Sequence, residues 1–182
     1  FNSIGNGLGD RFVELISAPA NHPNMVWIVT PLFIMLLLMQ FYFGRYNKEE
    51  LGWNTAVGNS MVLIFVSIDL LRYVYGDTGV NTLELTNIPL HNFKATVIAL
   101  IVGAAGFLMM FTNFFHILPK KLSFFMSSSL PVNLMAYVAI ALVYTSIPLD
   151  LITLLAALIL FIVLLIVFNI LHLIEPKSDE TS

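Results

Sequence analysis

Five stretches of this chain stay apolar long enough to cross the roughly 30 Å hydrocarbon core of a bilayer, which takes about 20 helical residues. They are 25–43, 57–75, 95–118, 131–147 and 149–173. The last is the most uniform, since between Leu151 and Phe168 only Thr153 is polar. The second is interrupted by Asn59, Ser60, Ser67, Asp69 and Arg72, and the third carries Thr112, Asn113 and His116 near its end. The fourth is short, about 26 Å as a helix, so a re-entrant segment is its other reading. Each gap holds a breaker: the charged run Gly44 to Glu50, the turn residues Gly76 to Gly79, Pro119 with Lys120 and Lys121, and Ser146 to Asp150. In the last of these, Pro148 suits a first helical turn and Asp150 the positive end of a helix dipole. So short a connection predicts that the last two spans are antiparallel neighbours.

Upstream of the spans, Leu8, Phe12, Leu15 and Ile16 recur with helical spacing, while Asp10, Arg11 and Glu14 fall on the other side. This is a short amphipathic helix that Pro19 and Pro23 would stop. It lies either at the membrane surface or on the protein's own loops. The chain thus divides into an N-terminal segment with a surface helix (1–23), a transmembrane domain (24–174) and a polar tail (175–182). The expected fold is an all-α integral membrane protein, a bundle of about five transmembrane helices with an N-terminal amphipathic interfacial helix.

Composition narrows the function classes. Hydrophobic residues make up 58% of the chain and charged residues 10%, against about 25% charged in a soluble domain. A soluble particle, a disordered chain and a basic nucleic-acid-binding module are excluded by that balance. There is no Cys, hence no disulfide scaffold, thiolate metal site or Cys nucleophile. His22, His91, His116 and His172 are scattered without a metal-ligand spacing, so no metal and no cofactor is expected. The Gly5 to Gly9 stretch lacks the strand and the Gly-Lys-Ser of a phosphate cradle. No catalytic constellation emerges, and the chain reads as a non-enzyme.

Positive residues give an orientation. With five spans, Arg45, Lys48, Lys120, Lys121 and Lys177 fall on one side, and Arg11 and Lys94, with Arg72 near the boundary, on the other. Positive residues favour the cytoplasm, which predicts the N-terminus outside and the C-terminus cytoplasmic.

Ionisable groups within a span are costly and mark candidate sites. Asp69 has Arg72 at i+3 on the same helical face, which reads as a local ion pair or as a carboxylate binding a cation or proton. Asp150 is expected on the same side, and convergence of the two carboxylates would strengthen the second reading. A second group gathers at the inner ends of the spans: Asn59, Asn113, His116, Asn133, Asn169 and His172, with Ser60, Thr112 and Ser127 to Ser129 nearby. These residues either line a vestibule or hydrogen-bond helices together. Ala95, Ala99 and Gly103 repeat every four residues, and Gly52, Ala56 and Ser60 do the same on the second span; small residues at this spacing let helix backbones approach closely.

Two functions follow as expectations. One is a structural or accessory subunit of a membrane complex or oligomeric array, with the lipid bilayer and other membrane subunits or copies of itself as partners and no nucleic acid. The alternative is a small ion or solute channel or carrier using Asp69 and the inner polar cluster.

Overall fold

A computed structural model describes residues 2–46, 51–76, 93–145 and 147–174. Residues 47–50, the stretch 77–92 with His91 and the tail 175–182 lie outside the described residues. Among the described residues there are seven helices and no strand: α1 Asn2–Asn21, α2 Pro23–Arg45, α3 Trp53–Tyr75, α4 Phe93–Phe114, α5 Lys120–Met126, α6 Ser129–Tyr144 and α7 Leu151–Ile174. Four of them (α2, α3, α4 and α7) are long and apolar enough to cross a membrane. The count is five if α5 and α6, bent by 42° at their junction, form one span.

α4 stops earlier than its apolar run, for a local reason. His116 takes a left-handed backbone (φ 52°). The Ile117 N–H donates to the Thr112 carbonyl (2.9 Å) and the His116 N–H to the Asn113 carbonyl (3.3 Å). This is a Schellman ending with histidine where glycine is usual. The chain then turns at Pro119 into the short α5, which meets α6 at a 42° bend.

α1 is longer than expected and is not stopped by Pro19, which lies inside it. A proline within a helix has no N–H to give the carbonyl four residues back, here Leu15. The Tyr137 hydroxyl on α6 supplies that bond, donating to the Leu15 carbonyl at 2.6 Å. The helix ends at Asn21, His22 caps the next, and Pro23 opens α2, where its missing N–H costs nothing. The apolar face of α1 also splits. Leu15 and Ala18 are fully buried, with Leu8 and Phe12 packed on the same core, whereas Ile16 is 51% exposed. α1 therefore packs on α7, α2 and α6, and its Arg11 lies 3.9 Å from Asp150 in the α6–α7 connection.

This arrangement makes a double-mutant test. Tyr137→Phe should cost about 1 kcal/mol of stability, the net value of one hydrogen bond to a buried carbonyl. In a Pro19→Ala background the Leu15 carbonyl regains its helical N–H, so the same substitution should cost measurably less. Thermal unfolding of the four proteins in one detergent checks it; equal costs in both backgrounds would reject the compensation.

The most extensive helix pairing is α3 with α4. Ala99 is fully buried in it, and the Ser67 hydroxyl donates to the Ala99 carbonyl at 2.7 Å. A Cβ on Gly103 would sit 2.5 Å from Ser67 Oγ, and one on Gly106 2.8 Å from Leu63 Cβ and 3.0 Å from the Ser60 carbonyl oxygen. The two small-residue patches thus lie on one interface at different levels: Ala99 and Gly103 meet Ser67, whereas Ser60 lies against Gly106 and Ala56 beside Asn113, with Ala95 half-buried and Gly52 exposed.

The α6–α7 connection differs from its expected role. Pro148 lies outside α7, and its carbonyl accepts from the Thr153 hydroxyl at 2.7 Å. Asp150 is the N-cap, accepting the Thr153 backbone N–H at 2.8 Å. The Lys94 ammonium donates to the Ile147 carbonyl and ties the connection to α4. Despite the short link, α7 packs mainly along α1 and touches α6 little, because α1 occupies the flank where α6 was expected.

The Thr153 hydrogen bonds hold the Asp150 carboxyl below its ordinary range, with a smaller contribution from Arg11. A folded pKa below the unfolded one adds stability that is complete above the unfolded value and lost as pH falls through the folded value. Asp150→Ala should therefore lower the unfolding temperature at neutral pH, with the gap to the parent closing in acid. Asp150→Asn, which can still cap, should recover part of the loss.

Candidate functional site

The polar residues of the spans gather in two places and leave several outside both. The first centre is built around Asn113, in the last turn of α4. Its amide Nδ2 donates to Ser127 Oγ (2.7 Å) and Ser60 Oγ (3.0 Å) and approaches the Ala56 carbonyl (3.3 Å). Its Oδ1 accepts from the Ser123 hydroxyl on α5. Beside it, Asn59 Nδ2 donates to the Ser127 carbonyl at 2.8 Å, and the Ser60 hydroxyl to the Ala56 carbonyl at the same distance. All of these side chains are buried. The network ties α3 and α4 to the α5–α6 bend, where the chain leaves helical geometry and its backbone groups need partners. Ser123 was not among the residues singled out from sequence. It follows two lysines in what reads as a loop, and only the bend turns it inward.

His116 lies at the rim of this centre, outside it. Its left-handed backbone sets the imidazole against Trp53, ring centroids 4.0 Å apart, and Phe124 meets the other edge of the indole at 4.9 Å. The remaining inner candidates are elsewhere. His172 Nε2 contacts the Gln40 carbonyl at 2.9 Å and joins α7 to α2. Asn169 is exposed, and with His172, Ser128 and Ser129 it lines a separate recess of about 330 Å³. Asn133 Nδ2 donates to the Ser129 carbonyl at 2.7 Å within its own helix, and its Oδ1 is buried without a partner. The expected inner group is therefore a closed network around Asn113, a recess at His172 and an isolated Asn133.

The second place is the C-terminal turn of α3. Arg72 Nε donates to Asp69 Oδ1 at 3.1 Å, and Nη2 bonds to the same oxygen. The Asp69 side chain is 25% exposed and that of Arg72 77%. Asp150 has different partners, the Thr153 N–H and Arg11, whose Nη2 is 3.9 Å from it. Asp69 and Asp150 thus belong to separate pairings. Asp69 and Arg72 close one end of a groove of about 690 Å³ between α2, α3 and α6. Tyr144 reaches this end too, its ring stacked on Tyr73 with centroids 3.8 Å apart.

Chemically, the Asn113 network has donors matched to acceptors and leaves no hydroxyl poised beside a base. Among the described residues no group of three His, Asp or Glu is placed to hold a metal ion. No protein-family model, curated protein or solved structure matches the chain.

Proposed function

We propose that the chain is a structural or accessory subunit of a larger membrane assembly. Five spans cross the bilayer, the α5–α6 pair forming one of them. α1 packs at the outer end, the N-terminus lies outside and the C-terminus in the cytoplasm. The observation that carries this reading is the fate of the polar groups within the spans. Around Asn113 they end on one another, which is what helix-joining hydrogen bonds do and what a solute path, with its unpaired polar lining, does not. Long apolar faces on α4 and α7 meanwhile stay uncovered by the chain itself, including Phe107, Phe111, Leu158 and Ile166.

The absence of Cys makes the test clean. Single cysteines at Phe107 and Leu158, cross-linked in native membranes, should give adducts heavier than the 20.3 kDa chain. A Gly7–Ile152 cysteine pair serves as the intramolecular control, since a Cβ at Gly7 would lie 3.9 Å from Ile152 Cδ1. Cross-linking of the control with no intermolecular adduct at either face would overturn the proposal.

A small ion or solute carrier is the second reading, favoured by the place of Asp69 in the groove. It requires flux through the wild-type protein in proteoliposomes and loss of that flux in Asp69→Asn; no wild-type flux rejects it.

A further inference from the structure

The α2–α3–α6 groove is graded along its length. At one end it presents Asn24, Trp27, Asp69, Arg72 and Tyr144. Towards the other it is walled by Pro31, Leu32, Met35, Val62 and Phe65. From Asn24 to Met35 is about 16 Å of helix, roughly half the hydrocarbon thickness of a bilayer. α2 and α3 each pack on α6 but scarcely on each other, so the groove opens sideways between them. A polar head and an apolar trough one leaflet deep, open to the side, match a lipid entering from the bilayer and not a solute crossing it.

The polar end has its own selectivity. Both hydrogen bonds of the Asp69–Arg72 pair end on Oδ1, leaving Asp69 Oδ2 and Arg72 Nη1 outside the pair. The site is therefore neutral overall while offering one anionic acceptor and one cationic donor. A headgroup carrying a phosphate beside a primary ammonium complements both: the phosphate oxygens take the guanidinium, and the ammonium N–H groups reach the carboxylate. We infer that this groove binds one zwitterionic aminophospholipid, with its headgroup at Asp69 and Arg72 and an acyl chain along Pro31, Met35 and Phe65.

Trp27 lines the groove, and Trp53, at the far end of α3, is the second of two tryptophans. In a Trp53→Phe background, Trp27 fluorescence reports the groove directly. The full chain would be placed in phosphatidylcholine vesicles containing a small, fixed fraction of chain-brominated lipid. Brominated phosphatidylethanolamine should quench Trp27 about tenfold more effectively per mole than brominated phosphatidylglycerol, the ratio expected of one retained charge-assisted hydrogen bond. Asp69→Asn with Arg72→Gln removes both charges together, so neither is left unpaired, and should bring the two lipids to equal quenching with the helix content unchanged. Equal quenching in the parent, preference surviving in the double variant, or no quenching by either lipid would each overturn the inference.

Discussion

Gly106→Leu is expected to force α3 and α4 apart and to prevent the chain from reaching its folded form in mild detergent. Even the smallest side chain meets fixed atoms there: a Cβ would lie 2.8 Å from Leu63 Cβ, 3.0 Å from the Ile64 nitrogen and 3.0 Å from the Ser60 oxygen. Two of these are backbone, and a helix backbone cannot rotate aside as a side-chain end can. Gly106→Ala should cost about 1–3 kcal/mol, the usual range for overpacking, and the branched leucine more. Gly58 on α3 is the control, because a Cβ there has nothing within 4 Å. Gly58→Ala should be neutral or stabilising by up to about 1 kcal/mol, since alanine is the better helix former. Thermal unfolding of the three variants decides the matter. Equal behaviour of Gly106→Ala and Gly58→Ala would mean that the interface can spread at no cost.

Asn113→Leu should destabilise by about 3 kcal/mol, whereas Asn133→Leu should be neutral or slightly stabilising. The substitutions are chemically identical and both sites are buried. The difference lies in what is left behind. Without Asn113, the Ser123 hydroxyl loses its acceptor and Ser127 Oγ its donor, both in places that water does not reach. Each stranded group costs about 1–3 kcal/mol. Bonds between apolar helices in lipid average nearer 0.6 kcal/mol, so the sum belongs at the lower end for two groups. Asn133, by contrast, already carries an unpaired Oδ1, and its amide bonds only to a carbonyl of its own helix. Leucine there removes an unsatisfied acceptor and strands nothing. Denaturant unfolding by the two variants side by side is the measurement, and a larger loss for Asn133→Leu would reverse the assignment.

The apolar runs, their breakers and the small-residue patches were legible because each is a property of neighbouring residues on one helix. Hydropathy marks a span without reference to its surroundings, and spacing by four marks a face. What escaped was every feature decided by a distant partner. Pro19 reads as a stop until Tyr137, 122 residues beyond Leu15, is seen to serve the Leu15 carbonyl that the proline abandons. The inner polar residues share a similar depth on their spans, and depth alone grouped them. It could not tell Asn113, which faces the α5–α6 bend, from Asn133 and Asn169, which face elsewhere. Ser123 gave no signal because the helix that turns it inward has only 7 residues, too short for a periodic pattern. The short link to α7 suggested the wrong neighbour because chain proximity says nothing about which flank α1 takes. The Asp69–Arg72 pair was readable from its i+3 spacing; the groove beside it, built from three helices, was not.

The docking of α1 on α7 has a bearing on how the chain is made. Synthesis delivers α1 long before α7, whose flank receives Gly7 and its neighbours. Until then α1 has α2 and later α6 beside it, but not its main support. A contact between helices so far apart in the sequence closes a long loop, so it is expected to form after the local contacts. A ribosome stalled before residue 151 would hold a chain in which α1 still lacks its main support, which makes completion of α7 the event expected to lock α1 in place.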